Sequence, residues 1–257
     1  MPYLLSITKA GKTIEVEKYY SSRYKKRGIK RGDKVKPTSE QQRKINEKQA
    51  EKRLRRDINE NFGPGDLHID LTYLRKRGQP HVTKDQMRED INIFLRGLRE
   101  IYKKSGTELK YVHVMEIGEK GARHHHLVVN YIDIRFIQKL WKQGYIYFTP
   151  LDNTGDYRKL ASYFIKYSSK TIGTEKALQG KRWNSSKNLR HPEPEVKIIS
   201  EREWYKTEAK PFSGYYIDSN SIEMGIHSPE YYGYGYFRYT MIEFDNTNPQ
   251  ARMRKRD

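Results

Sequence analysis

The chain has 257 residues with 51 Lys or Arg against 32 Asp or Glu, a formal net charge of +19 and no cysteine. Its length allows one large or two small domains with a true core, and its charge is the footprint of a protein that meets a polyanion. Disulfides and thiolate metal sites are excluded. No apolar run approaches the ~20 residues of a membrane span, and the short stretch Pro2 to Ile7 before Lys9 is no signal peptide, so a cytoplasmic protein without membrane attachment is expected.

In chain order, Tyr3 to Ile7 and Thr13 to Tyr20 alternate around Ala10-Gly11-Lys12 as a small hairpin does. Ser21 to Lys36 is dense in Arg, Lys and Gly and reads as a loop or arm. The helix expected from Thr38 to Asn59 is polar almost all round, with only Ile45, Ala50, Leu54 and Ile58 for a seam. Such a helix is either solvated or a basic lever against nucleic acid.

Asn61-Phe62-Gly63-Pro64-Gly65 marks a change of character. Leu67, Ile69 and Leu71 then alternate with His68, Asp70 and Thr72, a strand with a polar face. Thr83 with Gln86 forms a capping-box start, and Met87 to Tyr102 keeps the three-and-four spacing of an amphipathic helix that Gly106 closes. Two apolar strands follow, about Leu109–Ile117 and Arg123–Tyr131. Asp133 caps a short helix with Phe136, Ile137, Leu140 and Trp141 on one face. Tyr145 to Phe148 is a strand, and Tyr157 to Thr171 a helix. Residues 66–172 therefore read β-α-β-β-α-β-α, the pattern of an α+β fold with a four-stranded antiparallel sheet and helices on one face, of ferredoxin-like type.

Beyond Gly173 the pattern loosens. Lys181 to Arg190 is basic around Trp183, Ile198 to Lys206 reads as a short helix, and Tyr215-Tyr216 with Tyr231 to Tyr239 makes a Tyr/Gly-rich β tail. Aromatics among cations suit both single-stranded nucleic acid and an edge hairpin. Arg252, Arg254, Lys255 and Arg256 end the chain. Three segments result: an N-terminal hairpin, arm and helix over 1–60, a core over 61–175, and an accessory region over 176–257.

The chemistry gathers in two places. His124 and His126 are two apart on a strand, so both rings leave one face as a chelating pair. Taken alone, the pair is equally a histidine cluster at a turn rim. Glu116 on the facing strand is the expected third ligand, provided the connection has an odd number of residues such as Gly118–Ala122. Glu119 is the fallback. His113 has the wrong parity, His125 points away, and Asp70 is a further oxygen donor or a DNA contact. Two imidazoles and a carboxylate with open positions suit Mg²⁺ or Mn²⁺. On the last helix Tyr163 and Tyr167 are four apart, as are Lys166 and Lys170, so each pair shares a stripe. A phenol becomes a competent nucleophile when its phosphate target is polarised by a metal and flanked by a cation.

These stretches together resemble a known family. His124-His125-His126 after Glu116-Ile117-Gly118-Glu119-Lys120-Gly121 is similar to the His-hydrophobe-His motif of the HUH endonucleases. Tyr163-x-x-Lys166-Tyr167-x-x-Lys170 resembles their tyrosine motif in its two-tyrosine form, and Leu67 to Tyr73 the first strand motif of rolling-circle replication initiators. The order and layout also match, over about Asp66 to Lys170, most closely the Rep proteins of small plasmids and single-stranded DNA phages. One departure is His125, where the family has an apolar residue.

The resemblance implies a metal-dependent nickase acting on single-stranded or hairpin origin DNA. Tyr163 would attack first to leave a 5′-phosphotyrosine, and Tyr167 would make the second cut. Lys166 and Lys170 would stabilise phosphate charge, with a metal on His124, His126 and Glu116. Asp70, Thr72, Arg123, Arg182 and Trp183 are the expected DNA contacts. Neither Gly28 to Lys34 nor Gly173 to Lys181 fits a phosphate loop, so no ATP is expected, and a host helicase and polymerase would be partners. Relaxases and transposases use the same chemistry, and a non-catalytic nucleic-acid-binding protein on this fold is the alternative of another class.

Overall fold

Period-two alternation along the chain is realised as two antiparallel sheets. The computed structural model describes residues 3–21, 24, 39–75, 78–118, 121–169, 181–226 and 235–244. Most of the basic arm, Glu119, Lys170, the stretch 171–180, the tyrosines within 231–234 and the terminal basic residues lie outside them. Contacts gather the chain into two units: Met1–Asn46 with Thr154–Asp156 and His191–Asp257, and Glu47–Asn153 with Tyr157–Arg190. These cut across the three segments read along the sequence, and strand pairing is the reason.

In the first unit β1 (Tyr3–Ala10) and β2 (Thr13–Tyr20) form the expected hairpin, turning at Gly11 with a φ of 54°. A tight two-residue hairpin loop needs such left-handed backbone. The hairpin pairs on both sides with strands from far along the chain. Along β1 runs β8 (Glu195–Ile199), and along β2 runs β11 (Gly235–Glu243), which also pairs β9 (Tyr215–Ile217) and β10 (Glu223–Ile226). Ile14, Val16, Phe237, Tyr239 and Met241 form its core, so Phe237 and Tyr239 of the Tyr-rich segment pack inward. Ile198 and Ile199, expected in a helix, end β8 instead, because residues 195–199 are drawn into pairing with Tyr3–Ile7. The helix is reduced to Glu201–Trp204, where the Ser200 hydroxyl accepts from the Glu203 N–H.

The second unit carries β3 (Leu67–Thr72), β4 (Tyr111–Ile117), β5 (Arg123–Val129), β6 (Ile146–Pro150) and the two-residue β7 (Asn184–Ser185) in the order β6-β3-β5-β4-β7. The expected antiparallel α+β architecture is present, with the short β7 as a fifth strand. Helices cover both faces of this sheet. Against one face packs α2 (Lys84–Lys104), joining Met87, Ile91, Phe94 and Leu98 to Leu67, Ile69, Leu71 and Leu127. Its start is the expected cap, with Thr83 Oγ1 accepting from the Gln86 N–H at 3.2 Å. Against the other face pack α1 (Ser39–Asn61) and α4 (Arg158–Ser169), around Val112, Val114 and Val128.

The polar helix α1 is thus neither solvated all round nor free as a lever along its second half. Ala50, Leu54, Ile58 and then Phe62 are buried in the second core. Each buried aliphatic side chain stabilises by ~1.5–3 kcal/mol, so a seam this thin still docks a helix.

Close approach of backbone fixes the far edge of the sheet. A Cβ on Gly144 would lie 2.2 Å from the Thr72 carbonyl oxygen, while Thr72 N–H donates to the Tyr145 carbonyl at 2.9 Å. Gly144→Ala is therefore expected to cost about 1–3 kcal/mol in urea unfolding, the scale of an overpacked site. Gly63→Ala, whose Cβ would meet nothing within 4 Å, should stay within about 0.5 kcal/mol of the parent chain.

Candidate metal and tyrosine site

The pairing of β4 with β5 sets the site. Glu116 lies opposite His124 and Val114 opposite His126, while β3 sets Asp70 opposite His126 and Thr72 opposite His124. Direct partners in an antiparallel pair share a face. The connection Gly118–Ala122 has the odd length this needs, closed by Gly118 N–H donating to the Ala122 carbonyl at 2.8 Å, with Gly121 at a φ of 80°. Asp70, Glu116, His124 and His126 therefore project together on the face covered by α4.

Their polar atoms converge. The Glu116 carboxylate accepts from His126 Nε2 at 2.6 Å, which puts the proton of a neutral ring on Nε2. His126 Nδ1 then faces Asp70 Oδ1 at 3.8 Å, and His124 Nδ1 stands 3.5 Å from the same oxygen. His124 and His126 are stacked, with centroids 6.0 Å apart. His68 completes the cluster, its ring 5.6 Å from that of His126 and 5.7 Å from Phe164.

Helix α4 brings the phenols. Its apolar stripe of Ala161, Phe164 and Ile165 is buried in the second core, which turns Tyr163 toward the imidazoles. Tyr163 Oη is 3.4 Å from His126 Nε2, and the two rings meet edge to face at 5.1 Å. One turn on, the Tyr167 ring lies 4.6 Å from that of Tyr163, and Lys166 Nζ lies 5.9 Å from the Tyr167 ring centre. Lys166 is exposed. Tyr163 thus touches the imidazole cluster directly.

Electrostatics sharpen the picture. Burial pushes the Asp70 carboxyl up, but the polar approach of His124 and the charges of the imidazoles around it bring it below its ordinary value. His124 is raised, first by that same approach to Asp70 and against the effect of burial. His68 falls to about 4, chiefly through burial. The Tyr163 phenol is raised by burial first, then by Glu116, Tyr167 and Asp70. In this arrangement it holds its proton firmly.

Asp70 Oδ1, His124 Nδ1, His126 Nδ1 and His68 Nε2 are buried without a hydrogen-bond partner. Buried polar atoms are seldom left so, and an absent ion is one explanation. Among the described residues no group of three or more His, Asp or Glu side chains stands ready-made around an ion position. Three of the unpartnered atoms meet at Asp70 Oδ1, and that carboxylate with the two imidazoles His124 and His126 is a donor set that fits Mg²⁺ or Mn²⁺, while Glu116 is engaged by His126 Nε2.

The remaining expected residues scatter. The Thr72 hydroxyl donates to the Tyr145 carbonyl and accepts from its N–H, so it serves the sheet edge. Arg123 pairs with Ile117 and has the opposite parity to His124, away from the imidazole cluster. Trp183 is half-buried against the second core, with Arg182 half-buried before it. Lys170 and Glu119 lie outside the described residues. His68 was not singled out as a site residue in the sequence, although its parity with Asp70 is the signal that carries it there.

On the opposite face His125 is wholly buried, bonded to His113 Nε2 through Nδ1 at 3.1 Å and to Tyr73 Oη through Nε2 at 2.9 Å. Both ring nitrogens are satisfied, which is how a histidine occupies a position suited to an apolar residue.

Residues 66–172 match the family model Replication-associated protein ORF2/G2P. That span runs from just before β3 through the end of α4 and contains every imidazole, carboxylate and phenol of the cluster. Comparison with curated proteins gave no match, and comparison with solved structures gave none.

His113 supplies a test of this buried network. Burial, and then the neighbouring His126, push it down to about 3, whereas in an unfolded chain it titrates near ~6.5. The unfolded state therefore takes up a proton that the folded state refuses. Stability is intact above about pH 7 and falls as pH drops from ~6.5 towards ~3, by about 1.4 kcal/mol per pH unit for one such group. In urea unfolding between about pH 6 and pH 4, His113→Phe should be less stable at neutral pH yet show a slope shallower by about one proton. An unchanged slope would assign the acid sensitivity elsewhere.

Proposed function

We propose that the chain is a metal-dependent, tyrosine-mediated endonuclease that nicks and rejoins single-stranded DNA at an origin, starting and ending rolling-circle replication. One observation carries this reading: Tyr163 Oη lies 3.4 Å from His126 Nε2 on the face that also presents Glu116, Asp70 and His124. Packing alone gives a phenol no reason to sit over imidazoles that share unpaired inner atoms with the Asp70 carboxylate. The match of residues 66–172 to replication-associated proteins agrees with it, as does the charge of +19.

His124, His126 and Glu116 would hold Mg²⁺ or Mn²⁺, with Asp70 as a further oxygen donor. When bound, the ion supplies Lewis acidity to a phosphate oxygen and offsets the carboxylate charges that hold the Tyr163 proton. Tyr163 Oη then attacks the scissile phosphorus. The bond from phosphorus to the 3′-oxygen breaks, a 5′-phosphotyrosine forms, and the departing oxygen takes a proton to become the 3′-hydroxyl that primes synthesis. The phenolic proton leaves to solvent, which also supplies the proton taken by the 3′-oxygen, because His126 Nε2 already carries a proton in this arrangement. Lys166, exposed on α4 three residues after Tyr163, offers charge to the phosphate, and Lys170 shares that role by its spacing. Tyr167, one turn from Tyr163, serves the second transfer that closes the product. Strand separation and synthesis fall to a host helicase and polymerase.

The test is a denaturant-resistant protein–DNA adduct. Incubation with Mn²⁺ and a broad pool of labelled single-stranded DNA should yield one, and chelation should abolish it. Tyr163→Phe should remove the first adduct, Tyr167→Phe should retain it while losing the second transfer, and His126→Ala should lower its rate by about 100-fold, the scale on which one electrostatic stabiliser acts. No adduct across the pool would sink this reading.

A further inference from the structure

Beside the imidazole cluster, one just before the edge strand β6 and one on it, lie two tyrosines that neither the core nor the proposed chemistry uses. We propose that Tyr145 and Tyr147 form a base-stacking subsite for single-stranded DNA, holding the nucleotides next to the scissile phosphate. Its place along the substrate rests on the nickase reading; its binding function does not.

Strand parity supports the assignment first. On β6, Ile146 lies opposite Leu71 and Phe148 opposite Ile69, and both pack partly buried against the core with α2. Tyr147 lies opposite Asp70, so it projects on the other face, in one row with Asp70 and His126. Tyr145, two residues earlier, shares that parity. The strand thus sorts its aromatics, an apolar ring into the core and two phenols onto the face that carries the site.

Exposure supports it second. Tyr145 is 60% exposed and Tyr147 is 56% exposed. An edge strand is ordinarily protected by charge or proline, and two large exposed rings there give up burial that the chain could have used. Their centroids are 6.5 Å apart with planes tilted by 42°. At that spacing neither ring covers the other, and each keeps a face for a ligand.

Position and charge select the ligand. Neighbouring strands are ~4.8 Å apart, so β6 runs about 10 Å from β5 and its imidazoles, one or two nucleotides along a strand that crosses the sheet. Phenols resting on a strongly basic chain suit bases, whose π-faces stack without regard to sequence. A protein partner would equally value exposed rings, but the shared face with His126 favours the nucleic acid.

The experiment uses the full chain carrying Tyr163→Phe and Tyr167→Phe, so that binding is read without chemistry. Fluorescence anisotropy follows a labelled oligo-dT of about 15 nucleotides and an abasic strand of the same length and charge. Adding Tyr145→Ala with Tyr147→Ala should weaken oligo-dT binding about tenfold or more, the worth of one stacked base. The abasic strand should bind both chains alike, and the Tyr→Phe pair at these positions should bind oligo-dT within about threefold of the parent. Oligo-dT affinity unchanged in the Ala pair, or the Phe pair failing as badly as the Ala pair, overturns the proposal.

If the Ala pair does not fold, Tyr147→Trp alone decides. Its indole fluorescence should be quenched by oligo-dT and not by the abasic strand, and equal response to both overturns the subsite. The two readings separate cleanly. An adduct formed by the unmodified chain with no stacking dependence removes the subsite alone. A stacking dependence with no adduct removes the nickase and leaves a binding platform.

Discussion

The register between β4 and β5 is the constraint on which the site depends. Strand side chains alternate with period two, so a slip of one residue would turn His124 and His126 to the opposite face and bring His125 in their place. The five-residue connection Gly118–Ala122 prevents this from one side, and pairing with β3 repeats the constraint from the other. β5 lies in the middle of its sheet, hydrogen-bonded along both edges. A pair of imidazoles on an edge strand would have only half that definition.

The same alternation separates two kinds of histidine on one strand. His124 and His126 meet carboxylates and a phenol, with inner nitrogens left unpaired. His125 meets His113 and Tyr73 and is fully satisfied. Buried polar groups are costly unless paired, so the satisfied side reads as structure and the unsatisfied side as a place for chemistry. The buried network behind β5 also gives that strand a second anchor besides its backbone pairing.

Charge acts at two scales. The chain as a whole carries +19 and draws a polyanion toward it. Within the cluster the sign reverses, since Asp70 and Glu116 gather around the imidazoles and hold the Tyr163 phenol above its ordinary value. A basic surface with a local acidic and imidazole centre suits a substrate that arrives as phosphate and is activated by a cation. Tyr163 is the group placed between the two, and its protonation responds to both carboxylates.

Local alternation made much of this legible in advance. The β-α-β-β-α-β-α order, the Thr83 cap, the opposite parity of His113 and Glu116, and the shared face of His124 and His126 all follow from residues close together in the chain. The spacing of Tyr163 and Tyr167 likewise follows from helical geometry. Tertiary structure alone decided which elements meet: that the N-terminal hairpin takes β8 and β11 as neighbours, that the thin seam of α1 is buried, and that His68 enters the imidazole cluster. It also decided that Tyr163 touches His126, and that Tyr145 and Tyr147 stand exposed. The physical reason is that side-chain direction is fixed by neighbours in sequence, whereas pairing across long separations is chosen by which sheet edges remain open and which apolar faces still need cover.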